Sequence, residues 1–451
     1  MIEKLFKLKE NNTDVRTEVI AGITTFMTMA YIICVQPAIL STVGMDFKSV
    51  MVATCLASAI GCFLMALLAN YPIALAPAMG HNVYFTYVAC PFIAGLLGAD
   101  SRVLPWQAAL GAVFISGVIF ILCALFGFRE NIIKAVPLSL RHAITVGIGL
   151  LIAMIGFEWS GLTIPDPVVY VKLGSFKNPA VLLSIFGVMS ISALLVLNVR
   201  GAMLIGMLLT AFLGSMLGLL EYKGIVSPVP SIMPTFMKLN IKSVLGIGFL
   251  EIIFVFFFLD LFDTVGTLIG VGEKGGFTKN GELPRARGAL LADAAATVAG
   301  AGLGTSTVSS YIESVAGISS GGRTGLTSIV TGVLMVLAVF FHPIVSMVGG
   351  GYRVSENHFL YPVVAPAMII VGVMMMSSVR NIDWDRYSES IPSFLTIAAM
   401  PFCGFSITEG IAFGFISYVL LNIIAGRARA IHPLLYVFSV LFIIRYAYLN
   451  A

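Results

Sequence analysis

Gly300-Ala301-Gly302-Leu303-Gly304-Thr305-Ser306-Thr307-Val308-Ser309-Ser310-Tyr311-Ile312-Glu313 interrupts a chain that is otherwise a succession of apolar runs. Its glycines and hydroxyl residues weaken helix, through backbone entropy and through competing side-chain hydrogen bonds. It ends on a carboxylate. A second interruption, Asn70-Tyr71-Pro72-Ile73-Ala74-Leu75-Ala76-Pro77-Ala78-Met79-Gly80-His81-Asn82, contains two prolines and ends on an amide. Proline removes a backbone donor, so neither stretch reads as continuous helix. Irregular backbone at membrane depth survives only where protein or a water-filled cavity satisfies it. Either break alone is compatible with a re-entrant loop or a kinked packing helix. Two in corresponding halves point to a transport site.

Composition sets the solvent. Of 451 residues, 59% are hydrophobic and 11% charged, and mean hydropathy is +1.00. A soluble domain carries about 25% charged residues. Apolar runs of about 20 residues, long enough to cross a bilayer as helix, recur from Val19 to Leu449. Hydropathy predicts fourteen spans between residues 17 and 425, the first at 17–42, the third at 74–97, the eighth at 244–271 and the tenth at 304–320. A further apolar run covers 431–449. Seven spans per half is odd, so the two halves are expected to have opposite orientation.

With the N-terminus inside, the inner segments hold seventeen basic residues and the outer ones eight (Lys48, Arg102, Lys172, Lys177, Lys223, Lys238, Lys242 and Arg353). The inner set includes Arg129, Lys134 and Lys279. That bias fits a cytoplasmic N-terminus. Met1 to Arg16 is polar and mixed in charge and does not read as a cleavable leader. The six cysteines lie inside apolar runs without metal-ligand spacing and read as small buried hydrophobes. No nucleophile elbow, phosphate loop or metalloprotease motif is present, which argues against an enzyme. The net charge of +4 does not call for nucleic acid.

Ionisable groups inside spans are costly and are functional candidates by default. Asp260, Asp263, Thr264 and Thr267 fall at i, i+3, i+4 and i+7 of the eighth span, on one helix face. The face lines a wet cavity or forms an inter-helix hydrogen-bond seam, and Asp260 is the favoured functional member. Glu313 opens the second half of the broken tenth segment. Amide dipoles there favour its ionised form and burial its protonated form, which suits proton exchange. The alternative is a helix-capping role. Asn82 occupies the matching end of the first break, offering a donor and an acceptor. His81 beside it is a cavity-wall residue or a ligand. Glu251 and Asp293 lie nearer span ends, where they could reach an interface, as could Glu18 and Glu409. Two carboxylates, an amide and exposed backbone suit a neutral, planar, hydrogen-bond-rich solute better than an inorganic anion.

Four stretches together resemble the azaguanine-resistance-type purine permeases of the xanthine/uracil permease superfamily: Thr24-Thr25-Phe26-Met27-Thr28-Met29-Ala30-Tyr31-Ile32, Met79-Gly80-His81-Asn82, Phe262-Asp263-Thr264-Val265-Gly266-Thr267, and Gly304-Thr305-Ser306 through Glu313 to Gly321-Gly322-Arg323-Thr324-Gly325-Leu326. The resemblance covers about Phe6 to Ala425. It implies an all-α polytopic membrane protein of about fourteen segments in two inverted repeats of seven, with short strands in broken segments 3 and 10. It implies a cytoplasmic N-terminus (1–16), a core domain (17–127 and 244–348), a gate domain (128–220 and 360–425) and an apolar tail (426–451). It implies proton-coupled import of adenine, guanine or hypoxanthine across the bacterial inner membrane by a homodimer with no cofactor beyond the proton. Its binding positions fall on Asn82, Asp260 and Glu313, with Gly80 and Asp263 in support; His81 and Thr264 are further candidates. Glu313 or Asp260 would carry the proton. Ala78, His81 and Val83 depart from the glycine, leucine and alanine expected there, which puts the base preference in question. Uracil or xanthine transport, and anion transport on the same wider fold, are the rival readings.

Overall fold

The computed structural model describes residues 2–98, 103–126, 136–167, 169–246, 249–277, 283–355 and 358–448. Arg102, Arg129, Lys134 and Lys279 of the charge count lie outside the described residues. The chain is a multi-pass helical membrane protein. Among the described residues nine helices are long and apolar enough to cross a bilayer, and the remaining apolar runs form shorter or broken helices. Two compact units arise, one from 1–125 and 156–368, the other from 126–155 and 369–451.

The first unit starts with α1 (Ile2–Phe6), α2 (Val15–Met29), α3 (Ile32–Ser41) and α4 (Phe47–Leu68). The first predicted span is thus two helices meeting at Ala30-Tyr31. Strand β1 (Leu75–Pro77) and the short helix α5 (Met79–Val83) follow, then a π-helical turn (Tyr84–Ala89) leading into α6 (Cys90–Leu97). Next come α7 (Pro105–Phe126), α8 (Leu138–Trp159), the hairpin β2 (Thr163–Asp166) and β3 (Tyr170–Leu173), α9 (Pro179–Val196) and α10 (Ala202–Met216). The second half of the unit has α11 (Leu250–Gly275), α12 (Ala286–Leu303), β4 (Val308–Ser310), α13 (Ser314–Ser319), α14 (Gly325–Ala338), α15 (His342–Gly349), and the hairpin β5 (Tyr352–Ser355) and β6 (His358–Leu360).

Both sequence breaks become extended, and they pair with each other. β1 runs antiparallel to β4, with Leu75 opposite Ser310, Ala76 opposite Ser309 and Pro77 opposite Val308. The ladder continues at both ends: Ala78 N–H donates to Thr307 O at 3.0 Å and Tyr311 N–H to Ala74 O at 2.9 Å. A two-stranded ribbon leaves outer backbone groups unpaired, and in lipid that is costly. Helix side chains supply partners. Thr297 of α12 donates to Val308 O (2.8 Å), Ser314 accepts from Ala74 N–H (3.0 Å), and Leu75 N–H donates to Cys62 Sγ of α4 (3.4 Å). Ser328 of α14 donates to the carbonyls of Tyr71 and Ile73 at 2.8 and 2.9 Å. The predicted strands therefore exist, and serine and threonine on three helices make them tolerable at depth.

Small residues bring the helices close enough for this. A Cβ on Gly61 would stand 2.9 Å from Leu75, and one on Gly300 2.9 Å from Val308. α4 packs against α12, α14, α3 and β1, and α14 packs on α2.

Glu18 overturns its sequence reading. It does not reach an interface; it is fully buried. Its carboxylate accepts from the backbone N–H groups of Arg323 (2.8 Å), Thr324 (3.2 Å) and Thr327 (3.1 Å) and from Thr327 Oγ1 (2.6 Å). Those are the orphan donors at the start of α14, so an anion from α2 caps a helix some 300 residues away. The Arg323 guanidinium meanwhile donates to Ile318 O and closes the end of α13 (3.3 Å). Glu18→Ala strands four donors, three of them buried, at about 1–3 kcal/mol for each buried one. We expect a drop in the thermal unfolding midpoint of the detergent-solubilised protein, larger than for Glu18→Gln, which keeps one acceptor oxygen.

The second unit holds the body of α8 with the end of α16 (Val364–Met376), α17 (Tyr387–Phe402), α18 (Ile407–Ile424) and α19 (Pro433–Tyr448). Gly149 lies against Met375 and Gly372, and Gly410 against Met400. Glu409, another residue read as interfacial, pairs instead with Arg445 at 2.7 Å and also accepts from Tyr446. That pair fastens the tail helix α19 to α18.

Candidate functional site

Span one, α11, α12 and the paired breaks converge on the residues singled out by sequence. Glu313 stands at the turn into α13 but does not cap it: no side-chain capping bond forms. Its carboxylate accepts instead from the hydroxyl of Tyr31, at 2.8 Å, across the α2–α3 junction. Tyr31 is buried, and Glu313 as a residue is half-buried. Thr28 Oγ1, one turn before Tyr31, lies 3.4 Å from the Glu313 carbonyl. The capping alternative is therefore set aside in favour of a carboxylate held from span one.

The polar face of α11 divides by depth. Asp263 and Thr267 are half-buried, while Asp260 and Thr264 are fully enclosed. Thr264 is the hub of a seam. Its hydroxyl donates to Asp293 Oδ2 of α12 at 2.7 Å, lies 3.1 Å from Ser309 Oγ of β4, and is 3.5 Å from Asp260 Oδ1. Asp293 also accepts from Ser310 Oγ at 3.0 Å. Asp293 was expected near an interface; it is instead fully buried at the centre of the seam. Alanines and glycines around it on α12 let β4 approach closely enough for both contacts.

Asn82 is fully buried on α5, and its Oδ1 accepts a short hydrogen bond from Ser306 Oγ. Gln36 of α3 donates to Thr305 Oγ1 (2.9 Å) and Ser306 Oγ (3.1 Å). Asn82 thus ties the end of the first break to the start of the second. Gly80 is half-buried in the first turn of α5. His81 is 2% exposed, and its Nε2 has no hydrogen-bond partner among the described residues, so it belongs to the wall around Asn82. Tyr311 donates to Pro77 O at 2.6 Å and adds a further strut between the breaks.

Glu313, Asp263 and Gly80 are the half-buried residues of this group, and Asp260, Asn82 and Asp293 are fully buried. Hydroxyls and an amide, rather than lysine or arginine, dominate the described contacts of this group. Such a lining accepts N–H donors from a neutral solute and is poorly suited to an inorganic anion.

The Permease family model (Xan_ur_permease) matches residues 16–413. The chain belongs to this permease family. The permease is 42% identical to the adenine permease AdeP of Escherichia coli, over 100% of this chain and 97% of that one. It is also 42% identical to the guanine/hypoxanthine permease PbuG of Bacillus subtilis, over 100% of both chains. Among solved structures, the transmembrane domain of the cyanobacterial bicarbonate transporter BicA superposes with a TM-score of 0.63, covering 90% of this chain and 97% of that one at 16% identity. That likeness concerns the fold alone. The relatives are carriers, and the permease is not an enzyme.

Sequence reasoning missed Tyr31, Tyr311, Gln36 and Asp293 in the permease. Tyr31 lay inside a stretch quoted for its resemblance, yet a tyrosine near mid-span gives no hydropathy signal. Asp293 carried the one usable signal, an acid in an alanine-rich span, and was discounted for its position.

Proposed function

We propose that the permease imports purine nucleobases (adenine, guanine or hypoxanthine) together with a proton, by alternating access. The observation that carries this reading is a carboxylate, Glu313, held by Tyr31 where two paired breaks meet a polar helix face. The names of the relatives, adenine and guanine/hypoxanthine permeases, support the substrate class. Glu313 and Asp263 accept the ring and exocyclic N–H groups of the base. Asp260 is a further acceptor beside them, and Asn82 holds the break that presents Gly80. Segments 17–127 and 244–348, which contain the breaks, act as the core that carries base and proton past the gate of 128–220 and 360–425, with the N-terminus in the cytoplasm of a bacterial inner membrane and the carrier working as a homodimer. Likeness to a bicarbonate transporter does not outweigh the acidic lining.

Proteoliposomes loaded at pH 7.5 and diluted to pH 6 should accumulate labelled adenine or hypoxanthine. Unlabelled adenine, guanine and hypoxanthine should compete strongly, and xanthine and uracil weakly. Uptake of bicarbonate or sulfate that ignores purines would transfer the reading to anion transport.

A further inference from the structure

We infer that residues 227–244, on the connection between α10 and α11, form a clasp that belongs to the base-carrying core. The clasp fixes the start of the second break through Thr235 and moves with it, and residues 221–226 supply the slack. The inference rests on the alternating-access reading above and assigns a role to a segment outside the candidate site.

Ser227-Pro228-Val229-Pro230-Ser231-Ile232-Met233-Pro234-Thr235 carries three prolines, which restrict the backbone and remove donors. Among the described residues, every hydrogen bond that leaves 227–244 ends on the stretches assigned to the core, 17–127 and 244–348. Ser227 N–H donates to Phe340 O at 3.1 Å, and Ser227 Oγ lies 2.9 Å from Nε2 of His342 at the start of α15. Ser49 Oγ of α4 donates to Ser231 O at 2.9 Å. Asn240 N–H donates to Gln107 O of α7 at 2.8 Å, and a Cβ on Gly111 would stand 2.4 Å from Asn240 O. One segment thus grips several helices, and all of them are core helices.

The contact with α12 bears on the site. The last carbonyls of a helix have no partner inside it. Met237 N–H donates to Gly302 O at 2.7 Å, and the hydroxyl of Thr235 lies 3.2 Å from Leu303 O. Thr235 is fully buried. Met237 takes φ +51, a left-handed conformation that a side-chain-bearing residue keeps only where its surroundings impose it. Gly304 follows α12 with φ +98, and a Cβ there would stand 2.3 Å from Thr235 Cβ. The clasp therefore seats against bare backbone at the turn that opens the second break. Two residues on, Ser306 Oγ donates to Asn82. Thr235 is a positioning residue, acting through residues 302–306 and not on the base.

Residues 221–226 differ. Among the described residues, the polar contact they make is the ion pair of Lys223 with Glu221, at 2.9 Å, and all but Gly224 are exposed. Gly218 and Gly224 take φ +70 and +103. Six residues can span about 20 Å when fully extended. Movement of the clasp relative to α10 is absorbed there.

Ser227→Cys combined with His342→Cys, treated with a short bis-methanethiosulfonate, tests the clasp, and the single variants control for reaction at native thiols. The pair should cross-link, and uptake of labelled hypoxanthine into proteoliposomes should stay close to the rate of the reduced protein. A cross-linked protein that transports only after reduction overturns the inference, because the segment must then leave the core in each cycle. A pair that does not cross-link overturns it too. Thr235→Val removes the hydroxyl at nearly constant volume and should raise KM for hypoxanthine about twofold to tenfold, the weight of one neutral hydrogen bond. Thr235→Ser keeps the hydroxyl and should keep the wild-type KM. A lower thermal midpoint with unchanged KM in Thr235→Val marks a merely structural contact and overturns the positioning role. Should Thr235→Val fail to fold, Thr235→Ala takes its place with the same two outcomes. A wild type that takes up no purine overturns the transport reading, and cross-linking of the pair, which needs no substrate, then decides the clasp.

Discussion

Glu313→Ala abolishes concentrative purine uptake and weakens base binding by about tenfold to a hundredfold, the cost of losing one charge-assisted hydrogen bond of about 1.5–3 kcal/mol. The variant removes the carboxylate and also leaves the Tyr31 hydroxyl, buried at the α2–α3 junction, without its acceptor. Glu313→Gln separates the two effects. Its amide oxygen still accepts from Tyr31, so the turn into α13 keeps its shape, but the charge is gone and one oxygen becomes a donor facing the N–H groups of the base. We expect Glu313→Gln to fold with near wild-type thermal stability yet bind base as poorly as Glu313→Ala. Tyr31→Phe has the opposite character: the carboxylate remains but loses its positioning bond, and affinity falls by about tenfold. Binding to solubilised protein, measured calorimetrically beside uptake into proteoliposomes, checks all three. Uptake at the wild-type rate in both Glu313 variants would remove this residue from the substrate path.

That outcome would also test how far a single sequence can locate a site. The two breaks were legible because glycine, proline and runs of serine and threonine contradict the helix that their apolar surroundings demand. That they hold short strands followed from the resemblance; that the two strands pair with each other, Leu75 opposite Ser310, is seen only in the structure. Depth was not legible. Asp260 and Asp263 share one helix face, yet packing by β4 and α12 encloses the first and leaves the second half-buried. Glu18 was misread for a related reason. Its place near the start of α2 suggested headgroups, but the turn 321–327 folds back over it and takes its carboxylate as a cap. Hydropathy locates a residue along a span and carries nothing about which loop returns to cover it. Asp293 failed on the same ground, since the described partners of its carboxylate come from other elements, Thr264 of α11 and Ser310 of β4.

Span one emerges as the part that sets the geometry of the second break. Glu18, Ala21, Thr25, Thr28 and Tyr31 follow one another at helical spacing along one face. Glu18 holds the start of α14, Tyr31 holds the Glu313 carboxylate, and the residues between them lie against α13. A six-residue helix has almost no stability of its own, because nucleation costs more than so short a ladder returns. The position of α13 is therefore borrowed from α2 and fixed at both ends.

Gly317 is where that dependence can be broken with one methyl group. A Cβ there would sit 2.0 Å from Thr25 Oγ1 and 2.7 Å from the backbone carbonyl of Ala21. Threonine can rotate away, but the Ala21 carbonyl belongs to the helix ladder of α2 and cannot yield without breaking it. Gly317→Ala therefore pushes α13 off α2. We expect a loss of about 1–3 kcal/mol of stability, typical of forced overpacking. The functional loss should be larger than the stability loss, because α13 begins at Glu313, and a displacement near 1 Å at a binding group can cost about a hundredfold in rate. The added methyl itself favours helix by about 0.5–1 kcal/mol relative to glycine, so any destabilisation reports the clash rather than propensity. Gly95→Ala on α6 is the matched control, since a Cβ there meets nothing within 4 Å. It should leave uptake and thermal midpoint at or slightly above the wild-type values. Gly317→Ala transporting purines at the wild-type rate would show that Glu313 is not positioned through α2, and the grip of span one on the second break would have to be abandoned.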